Sequence, residues 1–404
     1  MENKIDEISV MICDDSALMR NLIGRIIEDT EGMSICDKAE NGEDLLKKLE
    51  TKKPDVILLD IQMPVMDGVE FLKQRKAKKI DIPVIVLSSI ATEGAAVTMQ
   101  CLELGASDFI TKPGGTAVSL KINEVTSEII EYIASYGGAY ASRHGKNIPA
   151  PEFYTHQIKL KEAARFVIQK KGEEAAKAAA ITKQDSILPT SFWSTQKAKE
   201  PAVIKPEREG GNIEIIALGI STGGPNALRD VFKMIDPRLK QPILVVQHMP
   251  AGFTAEFAQS LNNICPLTVT EAKDGETIEN GHIYIAPGSY HMFVERSAGG
   301  NKIKLSQDEP RNGHRPSADV LFESVAKIYQ NRALGVIMTG MGRDGAAQLA
   351  EMRKQGAWTL GQDKESSIVY GMPKVAYELG GVQKQVPLKQ MADEISKLAR
   401  EHIA

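Results

Sequence analysis

Short, unbroken apolar runs recur along this chain, each followed by a stretch with helical spacing. The first set is "ISVMIC" (8–13), "MSICDKA" (33–39), "DVILLD" (55–60), "PVIVLS" (83–88) and "SDFIT" (107–111). A strand buried on both faces reads as a continuous apolar run. Its alternation with helices demands a parallel sheet covered on both sides. The same alternation resumes at Ile213 with "IEIIALGI", "PILVVQH", "PLTVTEA", "HIYIAPGS", "KIKLSQ", "ALGVIMTG" and "GAWTLGQ". A chain of 404 residues exceeds what one core organises. Two doubly wound α/β domains are therefore expected, over 6–135 and 212–404. In the second, "GHIYIAPGSYHMFVE" followed by "NKIKLSQ" reads as an antiparallel hairpin within an otherwise parallel pattern.

Between the two patterns, 136–211 reads as an extended linker, partly helical or disordered. It holds a loop-like "YGGAYASRHGKNIPAPEF", a polar alanine-rich stretch and a segment rich in Pro, Lys and Glu. Phe192 and Trp193 are unusual in a plain spacer and suggest docking on a neighbour, or a stray aromatic pair. The net charge of -4 gives no sign of general nucleic-acid or anionic-membrane binding. Four scattered cysteines without a CxxC pair argue against a thiolate metal site or a disulfide framework. "MENKIDEISV" lacks the apolar core of a signal peptide, and no run approaches the ~18 residues of a membrane helix. A cytoplasmic protein is expected.

Functional groups in a parallel sheet gather at the carboxyl ends of its strands. In the first domain those ends carry Asp14 and Asp15, then Asp60, Ser88 and Lys112. Three carboxylates on one edge repel one another unless a cation sits among them. A hard divalent ion such as Mg²⁺ accepts oxygen ligands while leaving positions open for phosphate. A lysine opposite can neutralise incoming phosphoryl oxygens. The segments "ICDDS", "LLDIQMPVMDG", "VLSS" and "FITKP" resemble the receiver domain of two-component response regulators, a flavodoxin-like fold. The resemblance implies that Asp60 accepts the phosphoryl group and that Asp14, Asp15, Asp60 and the carbonyl of Gln62 surround Mg²⁺. It further implies that Ser88 and Lys112 touch the phosphoryl group, that Phe109 moves with the activation state, and that a histidine kinase is the donor.

In the second domain "GISTG" (219–223) fits G-x-S-x-G, a serine on a sharp strand-to-helix turn. Glycines allow the bend, and Pro225 suits the start of the next helix. A phosphate cradle is the rival reading, but GxxxxGK[ST] and GxGxxG are both absent here. A nucleophilic serine needs a base and an orienting acid. His248 follows one strand and Asp344 another, so both would share an edge with Ser221. His291 and Asp319 compete for these roles, whereas His282, beside Asn280-Gly281, reads as a surface residue. The order Ser…His…Asp excludes the α/β-hydrolase fold, which runs Ser…Asp/Glu…His.

"GISTGGPNAL", "VVQHMPAGFT", "YIAPGSYHM", "RPSADVLFESVA", "IMTGMGRDGA" and "GQDKESSIVYGMP" resemble the catalytic domain of the protein-glutamate methylesterase family of bacterial chemotaxis, CheB. That resemblance implies a Rossmann-like catalytic domain with a Ser221/His248/Asp344 triad. Thr222 and the loop around Met341 would shape the site, with a backbone N–H near Met341 serving the oxyanion. It implies hydrolysis of glutamate γ-methyl esters on chemoreceptors with release of methanol, deamidation of receptor glutamines, and no cofactor for the esterase. It also implies contact with membranes only through receptors, and a monomer is expected. The linker is longer than that family's short hinge. Two rival classes remain: a phospho-switch adaptor without catalysis, and a DNA-binding response regulator. The second would need a basic helix-turn-helix after residue 211, and none is visible.

Overall fold

The computed structural model describes residues 5–89, 92–112, 118–158 and 201–403. Phe192 and Trp193 lie outside the described residues. Two separate parallel sheets are present, as the two blocks of alternation require.

The first sheet holds β1 (Ile8–Cys13), β2 (Met33–Ala39), β3 (Val56–Asp60), β4 (Val84–Ser88) and β5 (Asp108–Thr111) in the order β2-β1-β3-β4-β5. β3 and β4 are buried at every position, which explains their lack of polar alternation. Local chemistry starts the covering helices. Ser16 caps Ala17–Glu28 by accepting from the Met19 amide, and Asn41 caps Gly42–Leu49 through the Glu43 and Asp44 amides.

Packing does not stop at residue 135. A π-helical turn, Ile133–Gly137, carries the chain into the helix Gly138–Arg143, and residues 151–158 are helical too. Gly137 lies so close to β1 and β3 that an added Cβ would meet Ile8 and Val56 side-chain carbons at 2.8 and 2.9 Å. Phe153 and Tyr154 are buried, and Lys146 reaches the Asp55 carboxylate at 2.6 Å. The stretch 136–153, loop-like in sequence, is thus partly helical, and its start packs on the sheet through Gly137.

The second sheet has the order β14-β13-β12-β6-β7-β9-β8. Its strands are β6 (Ile215–Ile220), β7 (Ile243–Gln247), β8 (Thr268–Glu271), β9 (His282–Ile285), β12 (Ala333–Ile337), β13 (Trp358–Gln362) and β14 (Lys384–Val386). Every ladder in it is parallel. The antiparallel pair is β10 (His291–Glu295) with β11 (Lys302–Ser306), in a separate two-stranded sheet, and "HIYI" belongs to the parallel sheet instead. β6 sits centrally between β12 and β7, so the carboxyl ends of these three strands are neighbours. On one face the core packs the helix Ala318–Tyr329, with Leu321, Phe322 and Val325 fully buried. Residues before Ile213 join this body as well: the Ala202 amide donates to the Glu378 carbonyl, and the Trp358 indole N–H to the Gly211 carbonyl. No helix among the described residues is long and apolar enough to cross a membrane.

Candidate active site and acidic cluster

Ser221 leaves the end of β6 on a turn that only glycines permit. A Cβ on Gly219 would lie 2.7 Å from the Ala318 Cβ, so the strand can approach its covering helix only without a side chain. Gly223 has φ +80°, the left-handed region, and caps the helix Gly224–Lys233 with Pro225 in its first turn. The Ser221 amide donates to the Thr339 carbonyl at 2.9 Å and the Gly224 amide to the Ser221 carbonyl at 2.7 Å. Those amides are spent inside the fold, which removes donors a phosphate cradle would need.

The serine Oγ lies 3.0 Å from Nδ1 of His248, at the end of β7. The opposite ring nitrogen, Nε2, lies 2.9 Å from Oδ2 of Asp344. Asp344 sits in the loop after β12 and is 1% exposed, so its charge is compensated by donors rather than solvent. Ser317 Oγ donates to Oδ1 at 2.6 Å, the Ala318 amide to Oδ2 at 2.6 Å, and the Asn312 amide group to Oδ1 at 2.9 Å. Burial would raise the Asp344 pKa, but hydrogen bonds from His248, Ser317 and Asn312 and the attraction of the imidazole hold it well below the ordinary carboxylate range. An ionised carboxylate fixes the tautomer: Nε2 carries the proton, and the Nδ1 lone pair faces the serine hydroxyl.

The competitors fall elsewhere. His291 is buried and directs Nε2 to the Glu309 carbonyl. His282 contacts Thr270 Oγ1 at 2.8 Å and stacks on Tyr284, so it is half-buried rather than a plain surface residue. Asp319 is near Asp344 but serves Asn312 and the Gln348 amide; burial, with the negative Asp344 adding to it, pushes its pKa up. Thr222 is buried, its carbonyl accepting from Thr339 Oγ1. Gly340 brings the loop of Met341 against the nucleophile: a Cβ there would lie 2.8 Å from the Ser221 Cβ. Sequence reasoning missed Asn312, His314 and Ser317. The Asn312-Gly313 turn signal and the neighbouring histidine stood in plain view, but nothing in the sequence said which edge that loop would reach.

On the first sheet, oxygens of Asp14, Asp15 and Asp60 lie within 4.8 Å of one another. Asp14 and Asp60 are buried, and Asp15 is exposed. Burial, reinforced by the Asp14 and Asp60 carboxylates, pushes the Cys13 thiol far above its ordinary range. This all-oxygen donor set with one solvent-facing member fits a hard divalent cation. Ser88 is buried at the end of β4 with its hydroxyl 2.6 Å from Thr98 Oγ1, and the Lys112 amide donates to its carbonyl at 2.7 Å. Phe109 is buried on β5, and Gln62 is in the loop after β3.

Fold and site together define a class: a receiver-type parallel sheet joined to a second α/β domain that carries a serine–histidine–aspartate hydrogen-bond chain. The family model for the response regulator receiver domain matches residues 10–122, and that for the CheB methylesterase matches residues 216–395. A protein-glutamate methylesterase/protein-glutamine glutaminase of Treponema denticola is 50% identical over 98% of this chain and 100% of its own. The protein of that name from Treponema pallidum is 49% identical over 98% of both chains, and one from Clostridium acetobutylicum is 38% identical over 98% of this chain and 99% of its own. The chain belongs to the protein-glutamate methylesterase/protein-glutamine glutaminase family.

Proposed function

We propose that this protein removes methyl groups from glutamate γ-methyl esters of chemoreceptors, releasing methanol, deamidates receptor glutamines at the same site, and is activated by phosphorylation. One observation carries the esterase reading: the continuous path from Ser221 Oγ through His248 to Asp344, at 3.0 and 2.9 Å. His248 Nδ1 takes the serine proton as Oγ attacks the ester carbonyl. Asp344 stabilises the imidazolium that forms. The tetrahedral intermediate collapses, and the proton on Nδ1 leaves with methoxide as methanol. Water, activated by the same nitrogen, then releases the glutamate. A glutamine amide follows the same path with ammonia as leaving group. Thr222 and the Met341 loop shape the pocket, and a backbone N–H near Met341 meets the oxyanion, a contact worth ~3–4 kcal/mol.

The receiver supplies control. Asp60 accepts a phosphoryl group from a chemotaxis histidine kinase. Asp14, Asp15, Asp60 and the Gln62 carbonyl are the groups that would hold Mg²⁺, which when bound neutralises phosphoryl oxygens. Ser88 and Lys112 face the phosphoryl group, and Phe109 responds to it. A tenfold activation requires only ~1.4 kcal/mol of differential stability between two states. The protein acts as a cytoplasmic monomer that meets the membrane only through receptors and binds no nucleic acid. Methanol release from methylated receptor membranes, with and without acetyl phosphate, tests the reading. Undiminished release by Ser221→Ala would refute it.

A further inference from the structure

Two hydrogen bonds at opposite edges of the His248 ring fix where its nitrogens lie, but they leave it free to rock about the line joining them. A planar group against the ring's face removes that freedom. The His314 ring stacks on His248 with centroids 3.9 Å apart and an interplanar angle of 15°. We propose that His314 is a positioning residue, and that the turn Arg311–His314 clamps the imidazole and carboxylate of the site into one geometry. The inference rests on the esterase reading above.

The turn is built for rigidity. Arg311 and His314 exchange backbone hydrogen bonds at 3.1 and 3.0 Å. Between them Asn312 and Gly313 both take left-handed conformations, at φ 54° and 82°. The Asn312 side chain bridges two carboxylates, donating to Asp319 Oδ2 at 2.6 Å and Asp344 Oδ1 at 2.9 Å. Asp319 is itself anchored by the Gln348 amide at 3.2 Å. A single four-residue turn therefore touches both the serine's base and the acid that orients it. Arg311 pairs with Glu323, and its Nε lies 3.9 Å from Asp319 Oδ2. The charged or titratable groups that act on His314 are His248 and Asp344. Burial, reinforced by the neighbouring His248, lowers its pKa to about 4. It is thus neutral at working pH and adds no positive charge to oppose imidazolium formation.

The test uses the full chain with acetyl phosphate and methylated receptor membranes as substrate, and compares His314→Phe with His314→Leu. Phenylalanine keeps a flat neutral face; leucine fills space without one. His314→Leu should lower kcat by about 10- to 100-fold with KM unchanged, and slow fluorophosphonate labelling of Ser221 in proportion. His314→Phe should restore most of kcat. A leucine variant with undiminished kcat overturns the proposal, and so does a folded phenylalanine variant as impaired as leucine. If the leucine variant does not fold, a folded phenylalanine variant with kcat lowered about tenfold or more overturns the proposal, and one within a few-fold of the parent supports it. Ser221→Ala, measured in parallel, reports separately on the esterase reading itself.

Discussion

The two carboxyl edges of this molecule solve opposite problems. On the first sheet, three like-charged carboxylates, Asp14, Asp15 and Asp60, bring oxygens within 4.8 Å of one another, with Asp15 exposed to solvent. On the second, the negative charge of Asp344 is met from within, by His248, Ser317, Ala318 and Asn312. On the function proposed above, the first edge would be completed by a cation and a phosphoryl group and so suits a switch. The second is pre-organised, so that little rearrangement remains when charge develops on the substrate.

Measurements that separate the edges test this contrast. The largest expected effect is Ser221→Ala, which should lower methanol release by at least about 10⁴-fold while phosphoryl labelling of the receiver persists. Chelation of divalent cations should do the reverse, abolishing labelling by acetyl phosphate and sparing basal ester hydrolysis. Asp60→Asn should also lose labelling, with its thermal melt preserved. Ser317→Ala removes one donor to Asp344, and a fall in kcat of about tenfold is expected from steady-state kinetics. Unchanged kcat would mean that the carboxylate is over-determined by its remaining donors.

Two smaller effects sharpen the contrast through stability. His314 falls from its ordinary 6.5 to about 4 on folding, so the unfolded chain binds more protons between those values. Its contribution is full above pH 6.5 and is lost as pH drops toward 4, a change of up to about 3 kcal/mol. Melts across that range should show a shallower pH dependence in His314→Phe. Gly223→Ala forces a side chain into a left-handed turn against Ile368, and should cost about 1–2 kcal/mol in denaturant titration.

Much of the fold was legible because buried parallel strands advertise themselves as apolar runs. β3 and β4 are buried throughout, and both were visible as "DVILLD" and "PVIVLS". The stretch 136–158 falls within the linker expected over 136–211 because its composition is loop-like. Phe153, Tyr154 and Ile158 are buried there, but no periodic pattern announces it, and Tyr154 meets Gly32, 122 residues away in the chain. At the site, Ser221, His248 and Asp344 could be named because strand ends are identifiable in sequence. The choice of His248 over His291 needed strand order: His291 lies on the antiparallel pair, with its Nε2 bonded to Glu309.

Sequence alone settled most of the strands, though not β14, that they form two doubly wound sheets, and which polar residues stand at their ends, because periodicity and glycine placement are local properties. Tertiary structure alone decided that β6 lies between β7 and β12, which ring nitrogen faces the serine, and that the 311–314 turn reaches His248 and Asp344. Those facts depend on contacts between residues far apart in the chain, and no local pattern encodes the order in which strands assemble or the direction in which a loop folds back.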